Sequence, residues 1–360
     1  MAIAIILGTR PEIIKMSPII RLCTSLNIDF FILHSGQHYS YNMDRIFFEQ
    51  LKLPSSKYNL NIGSGSHGLQ TGRILIGIEK ILLSERPEMV LVEGDTNTVL
   101  AGALAAAKLG IKVGHVEAGL RSYDDEMPEE INRVLVDHCS DFLFAPTENS
   151  KQILLGEGLE RDKIHVTGNT IVDAVYQNVK VADSKEILDE YNIQKNKYFL
   201  VTIHRQENTE NEKRLRNILK GLEKTKEYFN LPIICTIHPR TGKRLRQLGI
   251  EPAGIDLVPS IDYVKFLQLE KNASLVLTDS GGVQEETCIL GTPCVTLRNN
   301  TERPETVDVG SNIIAGTDPY NIVKCARQML GQTRTWNQPF GDGKASDRIM
   351  KIIIDDLRLS

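Results

Sequence analysis

The chain has 360 residues, of which 41% are hydrophobic and 24% are charged, and its formal net charge is −4 at pH 7. That length suits two domains, the weakly acidic balance excludes the basic surface that nucleic-acid binding needs, and the apolar runs are too short to cross a membrane. The six cysteines form no C-x-x-C pair, which is typical of reduced thiols in a cytoplasmic protein and not of a disulfide or zinc framework.

Short Val/Ile/Leu-rich runs alternate with helical patterns through the first half of the chain. Residues 1–12 have neither the basic segment nor the cleavage site of a signal peptide, so the first run is predicted to be a strand. The strands predicted in this half are residues 2–7, 28–33, 89–93, 112–117, 141–145 and 163–167. Continuous apolar strands separated by helices predict a parallel sheet that is covered on both faces.

The same alternation returns after residues 171–196, a polar and helical stretch that is expected to contain the domain boundary. The strands predicted there are residues 197–203, 232–237, 254–258, 274–279 and 294–297. The fold class is therefore predicted to be α/β, with two doubly wound Rossmann-like domains facing a cleft. Residues 1–171, completed by a C-terminal helix at 345–360, form the first domain, and residues 172–344 form the second. Ligands of such sheets bind beyond the carboxyl ends of the strands, so the candidate site residues are those that follow each strand.

Three strand ends of the first domain carry candidate groups. The turn at residues 8–12, GTRPE, places Arg10 beside a helix N-terminus, where anions bind, and Lys15 follows in the same helix. The turn lacks the G-x-G-x-x-G pattern, so it does not predict NAD binding. Asp95 follows the third strand, and its position alone favours capping of the next helix. Glu117 ends a buried strand with no helix after it, which predicts that it faces a ligand, where desolvation would suit it to acid–base work.

The segment HVEAGLRSYDDEMPEEINR, residues 115–133, holds six carboxylates, most of which have a structural explanation. Met-Pro-Glu-Glu places proline at the first position of a helix and Glu129 and Glu130 in its first turn, where they complement the helix dipole. Residues 124–126, Asp-Asp-Glu, are predicted to lie in a solvated loop. Position alone therefore leaves Glu117 as the one acid without a structural explanation.

The strongest local signal of the second domain lies at residues 275–297, LVLTDSGGVQEETCILGTPCVTL. A strand is followed by Ser-Gly-Gly at residues 280–282, where backbone N–H groups can approach a pyrophosphate at a helix N-terminus. Glu285 and Glu286 come about one turn later, and a carboxylate there can accept hydrogen bonds from ribose hydroxyls. A glycine-rich helix start with surface acids is the alternative, but the combination of these features favours a nucleotide.

Two histidine–arginine pairs follow the first two strands of the second domain. His204 and Arg205 come after residues 197–203, and His238 and Arg240 repeat the arrangement after the next strand. A neutral core histidine is the alternative for His204, but the polar residues that follow it favour a place at the ligand.

Seven segments in this order resemble the non-hydrolysing UDP-N-acetylglucosamine 2-epimerases, and the resemblance covers essentially the whole chain. The segments are GTRPEIIKMSP, GDTNT, GHVEAGLRS, MPEEINR, TGNTIVDA, TDSGGVQEE and TERPE. The resemblance implies a glycosyltransferase-B type fold and an isomerase that interconverts UDP-N-acetylglucosamine and UDP-N-acetylmannosamine without NAD or a metal. In that reaction UDP leaves C1 and a base removes the C2 proton to give a 2-acetamidoglucal. Return of the proton to the other face of C2 and of UDP to C1 then gives the epimer.

The resemblance also implies which residues act. The catalytic positions that it implies are Asp95, Glu117, Glu129 and His204. The substrate-binding positions that it implies are Arg10, Lys15, Ser280, Gly281, Gly282, Glu286, Arg205 and His238. Among these, Arg10, Lys15 and His204 are expected to stabilise the departing phosphate, and Glu286 to bind the ribose.

The partners implied by the resemblance are the UDP-sugar substrate and a second copy of the chain, in a cytoplasmic homodimer that serves cell-surface polysaccharide synthesis. A second, allosteric UDP-N-acetylglucosamine is also implied, because Gln37 and His38 match part of that region, although residues 63–73, GSGSHGLQTGR, depart from it. The alternatives are a 2-epimerase of a related UDP-2-acetamido sugar, a hydrolysing epimerase, a glycosyltransferase and a UDP-sugar-binding protein. Three strand-end carboxylates exceed what a glycosyltransferase needs.

Overall fold

The structure, a computed structural model, describes residues 2–37, 47–124, 126–180, 184–237 and 239–359. The chain folds as two compact units, Met1–Gln177 with Phe340–Ser360, and Asn178–Pro339. Three residues singled out in the sequence, His38, Asp125 and His238, lie outside the described residues, as does the side chain of Arg240.

The first unit contains a seven-stranded parallel sheet with the order β3-β2-β1-β4-β5-β6-β7. Its strands are β1 (Ala2–Leu7), β2 (Asp29–His34), β3 (Tyr58–Asn59), β4 (Met89–Glu93), β5 (Lys112–Val116), β6 (Phe142–Ala145) and β7 (Ile164–Val166). Strand β4 is buried along its whole length, because helices cover both faces of a parallel sheet, and this explains its unbroken apolar run.

Helices connect successive strands of the first unit. They are α1 (Arg10–Ser25), α2 (His67–Glu85), α3 (Asn97–Lys108), α4 (Pro128–Cys139), α5 (Glu148–Gly156) and α6 (Thr170–Asn178). Aliphatic side chains of α2 and α3 pack on those of β1, β2 and β4 to form one core, which includes Ile6, Ile78, Val92 and Val99.

The second unit contains a six-stranded sheet with the order β10-β9-β8-β11-β12-β13, which is the Rossmann order 3-2-1-4-5-6. Its strands are β8 (Phe199–Ile203), β9 (Ile233–Ile237), β10 (Ile255–Pro259), β11 (Leu275–Thr278), β12 (Cys294–Thr296) and β13 (Asn312–Ile314). Its helices are α7 (Ser184–Glu190), α8 (Gln206–Thr209), α9 (Glu212–Phe229), α10 (Pro239–Gln247), α11 (Tyr263–Asn272), α12 (Gly281–Leu290), α13 (Pro304–Asp308) and α14 (Pro319–Leu330). The predicted α/β class with two Rossmann-like units is confirmed.

The C-terminal helix α15 (Ala345–Leu359) belongs to the first unit. The carboxylate of Asp173 accepts hydrogen bonds from the backbone amides of Ala345 at 3.2 Å and Ser346 at 3.0 Å, so α6 supplies the cap of α15. The boundary between the units falls after Gln177, later than residue 171, because all of α6 except its last residue belongs to the first unit.

Candidate active site

In each sheet the strand order reverses between two neighbouring strands, and several of the candidate residues follow those strands. In the first unit the reversal lies between β1 and β4, which precede Arg10 and Asp95. In the second unit it lies between β8 and β11, which precede His204 and Ser280. Each unit therefore presents its candidate groups at the switch point where doubly wound sheets bind ligands.

Glu117 follows β5 in a left-handed backbone conformation, with φ of 72°. A non-glycine residue adopts that conformation at an energetic cost, and such strain is concentrated at functional sites. The Glu117 carboxylate contacts the Nζ atom of Lys15, and Asn169 Nδ2 donates to it at 3.4 Å. Glu117 is thus a buried carboxylate held by a buried ammonium group and an amide.

Asp95 does not cap α3, so the interpretation that its position alone favours is wrong. Thr96 is the cap, and its hydroxyl accepts from the backbone amide of Val99 at 3.5 Å. The Asp95 carboxylate instead accepts from Nε of Arg133 at 3.0 Å and from its Nη2 at 2.5 Å. Asn132 Nδ2 donates to the carbonyl of Asp95 at 2.8 Å. The Asp95 carboxylate is therefore held in a fixed position by the Arg133 guanidinium.

The two acids of the first turn of α4 have different surroundings. Glu130 accepts from the backbone amides of Ser122 at 2.9 Å and Tyr123 at 3.0 Å, and from Arg133 Nη1 at 2.6 Å. Burial opposes the ionisation of Glu130, but the Ser122 amide and Arg133 outweigh it and lower the pKa of Glu130. Glu130 therefore shapes the loop before α4, whereas Glu129 is half-buried at the helix start and stays a candidate for proton transfer.

A buried network that sequence reasoning missed supports the loops carrying Asp95 and Glu117. His115 Nδ1 lies 2.7 Å from the Asp137 carboxylate, and its Nε2 lies 2.8 Å from the carbonyl oxygen of Gly94. Arg121 Nη2 lies 2.7 Å from the same carboxylate. Asp137 thereby ties the end of β5 to the loop after β4, a link between distant residues that no local pattern predicts.

Glu12, which was also missed, joins the first turn to the start of α3. Its carboxylate accepts from the backbone amide of Gly8 at 2.6 Å, from Thr9 Oγ1 at 2.9 Å and from Thr96 Oγ1 at 2.8 Å. Burial nevertheless raises the pKa of Glu12 to about 7, since it outweighs these three hydrogen bonds.

Arg10, the first residue of α1, places its guanidinium 4.7 Å from the ring centroid of Phe47.

Asp279 organises the corresponding turn of the second unit. The backbone amides of His204 and Arg205 donate to its carboxylate at 3.0 Å and 3.1 Å, and Asn208 Nδ2 donates at 3.0 Å. The side chain of His204 is 44% exposed, while that of Asp279 is 0% exposed. His204 is therefore not a core histidine, and its ring is oriented by a buried aspartate.

The N-terminus of α12 combines an accessible backbone with a buried carboxylate. Among the described residues, an added Cβ at Gly282 would meet only Ser280 Oγ, at 4.0 Å, so no described atom fills the space above this backbone. At Gly281 an added Cβ would lie 2.6 Å from Oε1 of Glu302. Arg205, a predicted substrate-binding residue, donates to Glu302 at 2.6 Å.

Glu302 is the centre of an arginine cluster beside α12. Its carboxylate accepts from Arg205 and, at 2.6 Å, from Nη1 of Arg298. Burial opposes the ionisation of Glu302, but Arg205, Arg303 and Arg298 lower its pKa to about 2. The cluster is thus fixed by charge pairs beside the helix N-terminus.

The two glutamates proposed for the ribose differ in their contacts. Glu285 forms an ion pair with Nε of Arg303 at 2.9 Å. Glu286 is close enough to Glu270 to affect its titration: complete burial raises the pKa of Glu270, and the Glu286 carboxylate adds to the rise. The ion pair of Glu285 with Arg303 leaves Glu286 as the candidate ribose ligand.

Two classes of site are not found in the part of the chain that the structure describes. No group of three or more His, Cys, Asp or Glu residues there is arranged to hold a metal ion. The described helices include none that is both long and apolar enough to cross a membrane. All six cysteines are free, and Cys139 is the one that is partly exposed.

Comparison with known proteins finds one family along the chain. The family model described as UDP-N-acetylglucosamine 2-epimerase matches residues 21–354. UDP-N-acetylglucosamine 2-epimerase of Methanococcus maripaludis is 57% identical over 362 residues, which is 98% of this chain and 98% of that protein. The enzyme of the same name from Methanocaldococcus jannaschii is 56% identical over 361 residues, 98% of this chain and 99% of the relative. The crystal structure of the Methanocaldococcus jannaschii UDP-GlcNAc 2-epimerase with UDP-GlcNAc and UDP is also similar, with a TM-score of 0.91 and 56% sequence identity. The match covers 98% of this chain and 99% of the chain in that structure.

Proposed function

This chain belongs to the UDP-N-acetylglucosamine 2-epimerase family, and we propose that it interconverts UDP-N-acetylglucosamine and UDP-N-acetylmannosamine. The observation that carries the proposal is the similarity to two enzymes of that name along almost the whole chain. The similar crystal structure that contains UDP-GlcNAc and UDP supports a UDP-sugar as the substrate.

The reaction sets a specific demand on the protein, because no carbonyl group lies next to C2 to make its proton acidic. If the bond between C1 and the phosphate oxygen breaks first, UDP takes the electron pair and the developing oxocarbenium ion acidifies the C2 proton. Transfer of that proton to a base leaves a C1–C2 double bond, as in a 2-acetamidoglucal. Proton return to the opposite face and re-attack of UDP at C1 then give the epimer. The chain must supply acid–base groups for C2 and stabilisation for the departing UDP.

The first unit offers the acid–base groups. We assign the proton transfers to Asp95, Glu117 and Glu129. The strained backbone of Glu117 and its contact with Lys15 support its assignment, because both keep a carboxylate in one place inside the protein. Asp95 is fixed by Arg133, so it is suited to act as an ionised carboxylate near the sugar.

The second unit offers the UDP-binding groups. We assign the diphosphate to Ser280, Gly281 and Gly282, since the open space above Gly282 lets an anion approach the N–H groups at the start of α12. Glu286 is assigned to the ribose. His204, oriented by Asp279, is assigned to the charge of the leaving phosphate together with Arg10, Arg205 and His238.

The family resemblance also supports proposals about the oligomeric state, location, pathway and effector of the protein. We propose a cytoplasmic homodimer that supplies an activated amino sugar for polysaccharide synthesis, with a second UDP-N-acetylglucosamine as allosteric effector. Of Gln37 and His38, which match the effector region, Gln37 is the one that the structure describes. Its side-chain oxygen accepts a hydrogen bond from the hydroxyl of Thr98 at 2.6 Å. Thr98 lies in the first turn of α3, which follows Asp95. Sedimentation velocity tests the dimer, and sigmoidal dependence of the rate on UDP-N-acetylglucosamine tests the effector.

Proton NMR of the protein with UDP-N-acetylglucosamine in deuterated water tests the function. Epimerisation predicts deuterium at C2 and a stable mixture of two UDP-sugars. Release of free N-acetylmannosamine would identify a hydrolysing enzyme. Turnover that requires an added acceptor would identify a glycosyltransferase, and binding without exchange would identify a UDP-sugar-binding protein. Exchange with a related UDP-2-acetamido sugar but not with this one would identify a different physiological substrate.

The same assay tests the carboxylates. Glu117→Gln should lower the rate of C2 exchange about 10²- to 10⁴-fold, the range that one positioned acid–base group contributes. Glu126→Gln is the matched control, because Glu126 is an exposed acid of the neighbouring loop. The assignment fails if Glu117→Gln or Asp95→Asn exchanges the C2 hydrogen at nearly the normal rate.

A further inference from the structure

Glu93, the last residue of β4, lies in a buried cluster with Lys15 and Glu117. The side chains of Lys15, Glu93 and Glu117 are 9%, 2% and 4% exposed. Lys15 Nζ lies 3.3 Å from Oε1 of Glu93 and also contacts Oε2 of Glu117. Strands β4 and β5 are paired in register, with Glu93 opposite Val116, so the two glutamates come from adjacent strand ends.

The charges of this cluster do not balance if both acids are ionised, because one ammonium group faces two carboxylates. Burial raises the pKa of Glu93 well above its ordinary range, Lys15 opposes the rise, and the carboxylates of Glu117 and Glu12 add to it. Oε1 of Glu93 and Oε2 of Glu117 both contact the Nζ atom of Lys15, so the two carboxyl groups are neighbours. The raised pKa favours a carboxylic acid at Glu93, and its O–H group could then donate to the neighbouring Glu117 carboxylate.

We propose that Glu93 is a positioning residue for Glu117, which it orients through a hydrogen bond while it keeps the three-residue cluster at zero net charge. The inference rests on the proposed function, in which Glu117 transfers the C2 proton. With Glu93 neutral, Lys15 is the counter-charge of Glu117 alone. Ionisation of Glu93 would replace the donated hydrogen bond by repulsion and would draw Lys15 away from Glu117, so the active arrangement requires the proton on Glu93.

The dependence of kcat/KM on pH tests this inference. In the wild-type protein the rate should fall on the alkaline side as Glu93 ionises. Glu93→Gln retains an N–H donor but cannot ionise, so it should stay within about three-fold of the wild-type rate near neutral pH and lack that alkaline fall. Glu93→Leu has no donor and should lose about 10- to 100-fold in kcat, the equivalent of one hydrogen bond to a charged group. Glu88→Gln, an exposed position just before β4, should keep the wild-type profile.

A second measurement detects the proton on Glu93 without requiring turnover. The infrared difference spectrum of wild type minus Glu93→Gln at neutral pH should contain the C=O stretch of a neutral carboxylic acid. The spectrum of wild type minus Glu88→Gln should lack it. Thermal unfolding of each variant identifies one that does not fold, and Glu93→Gln is the less disruptive of the two Glu93 variants.

The outcomes separate this inference from the proposed function. An alkaline fall that persists in Glu93→Gln, or the absence of the infrared band, overturns the assignment of Glu93 even if the protein is an epimerase. Absence of C2 exchange in the wild type overturns the proposed function and the catalytic role of Glu93 with it. The infrared band then still decides whether Glu93 holds the proton.

Discussion

The Nδ1 atom of His204 lies 3.1 Å from Oδ1 of Asp279, and the two residues follow β8 and β11, the strands that flank the switch point of the second sheet. The buried carboxylate accepts the hydrogen on Nδ1, which fixes the tautomer and leaves Nε2 of the exposed ring for a ligand. Burial opposes the ionisation of Asp279, but His204 and Asn208 outweigh it and lower the pKa of Asp279, so the aspartate stays charged. This geometry supports the proposal that His204 contacts the anionic leaving group.

Replacement of Asp279 by Asn should therefore lower kcat about 100-fold, at the lower end of what one positioned acid–base group contributes. The amide can present its NH₂ group to Nδ1 and so favour the wrong tautomer of His204, while the KM for the UDP-sugar should change little. Steady-state kinetics of the epimerisation would measure both constants. Asp256→Asn, an exposed position in β10, is the control. Equal kcat values for the two variants would refute the orienting role of Asp279.

The two glycines at the start of α12 should respond differently to alanine. At Gly281 the new methyl group would lie 2.6 Å from Oε1 of Glu302, so overpacking should reduce the free energy of unfolding by about 1–3 kcal/mol. At Gly282 the nearest atom is 4.0 Å away, so Gly282→Ala should leave the melting temperature unchanged. Its methyl group would nevertheless occupy the space proposed for the diphosphate and should weaken UDP binding about ten-fold, a loss of about 1.4 kcal/mol. Calorimetry of unfolding and of UDP binding gives both quantities, and wild-type affinity in Gly282→Ala would contradict the proposed diphosphate site.

The sequence predicts those features of the fold that depend on local pattern. Unbroken apolar runs located the central strands of both sheets to within one or two residues, because a strand buried on both faces needs such a run. The strands β3 and β13 were missed, since they have two and three residues and no pattern can be read from so few. The predicted strands also give the positions of Glu117 and His204, which directly follow β5 and β8.

Other parts of the site depend on contacts that a sequence does not display. Asp279 holds the backbone of a residue 75 positions away, and Lys15 contacts Glu117 across 102 positions. Asp95 shows the limit of positional reasoning, because the residues before a helix can serve as caps or face a ligand, and only the contacts distinguish them. The side-chain hydroxyl of Thr96 takes the capping position, and Asp95 pairs with Arg133.

The cap that Asp173 provides for α15 can be tested through stability. Asp173→Ala would leave the amides of Ala345 and Ser346 without their acceptor, and the loss of a buried cap should cost about 2 kcal/mol. Asp347→Ala is the control, because Asp347 is an exposed acid in the first turn of the same helix and its loss should cost about 0.5 kcal/mol or less. Urea unfolding measures the difference, and equal midpoints for the two variants would contradict the role of Asp173.

The elevated pKa of Glu12 predicts how stability depends on pH. Burial raises this pKa from 4.5 to about 7, so between those values the folded protein binds more protons at Glu12 than the unfolded chain does. The stabilisation is complete below the unfolded pKa and is lost as the pH rises through the folded one, a change of about 3 kcal/mol. Glu12→Gln cannot ionise, so its free energy of unfolding relative to wild type should increase between about pH 5 and about pH 8. Glu126→Gln, an exposed position, should show no such trend. Denaturant unfolding across this range measures the difference, and a constant difference for Glu12→Gln would show that Glu12 stays ionised inside the fold.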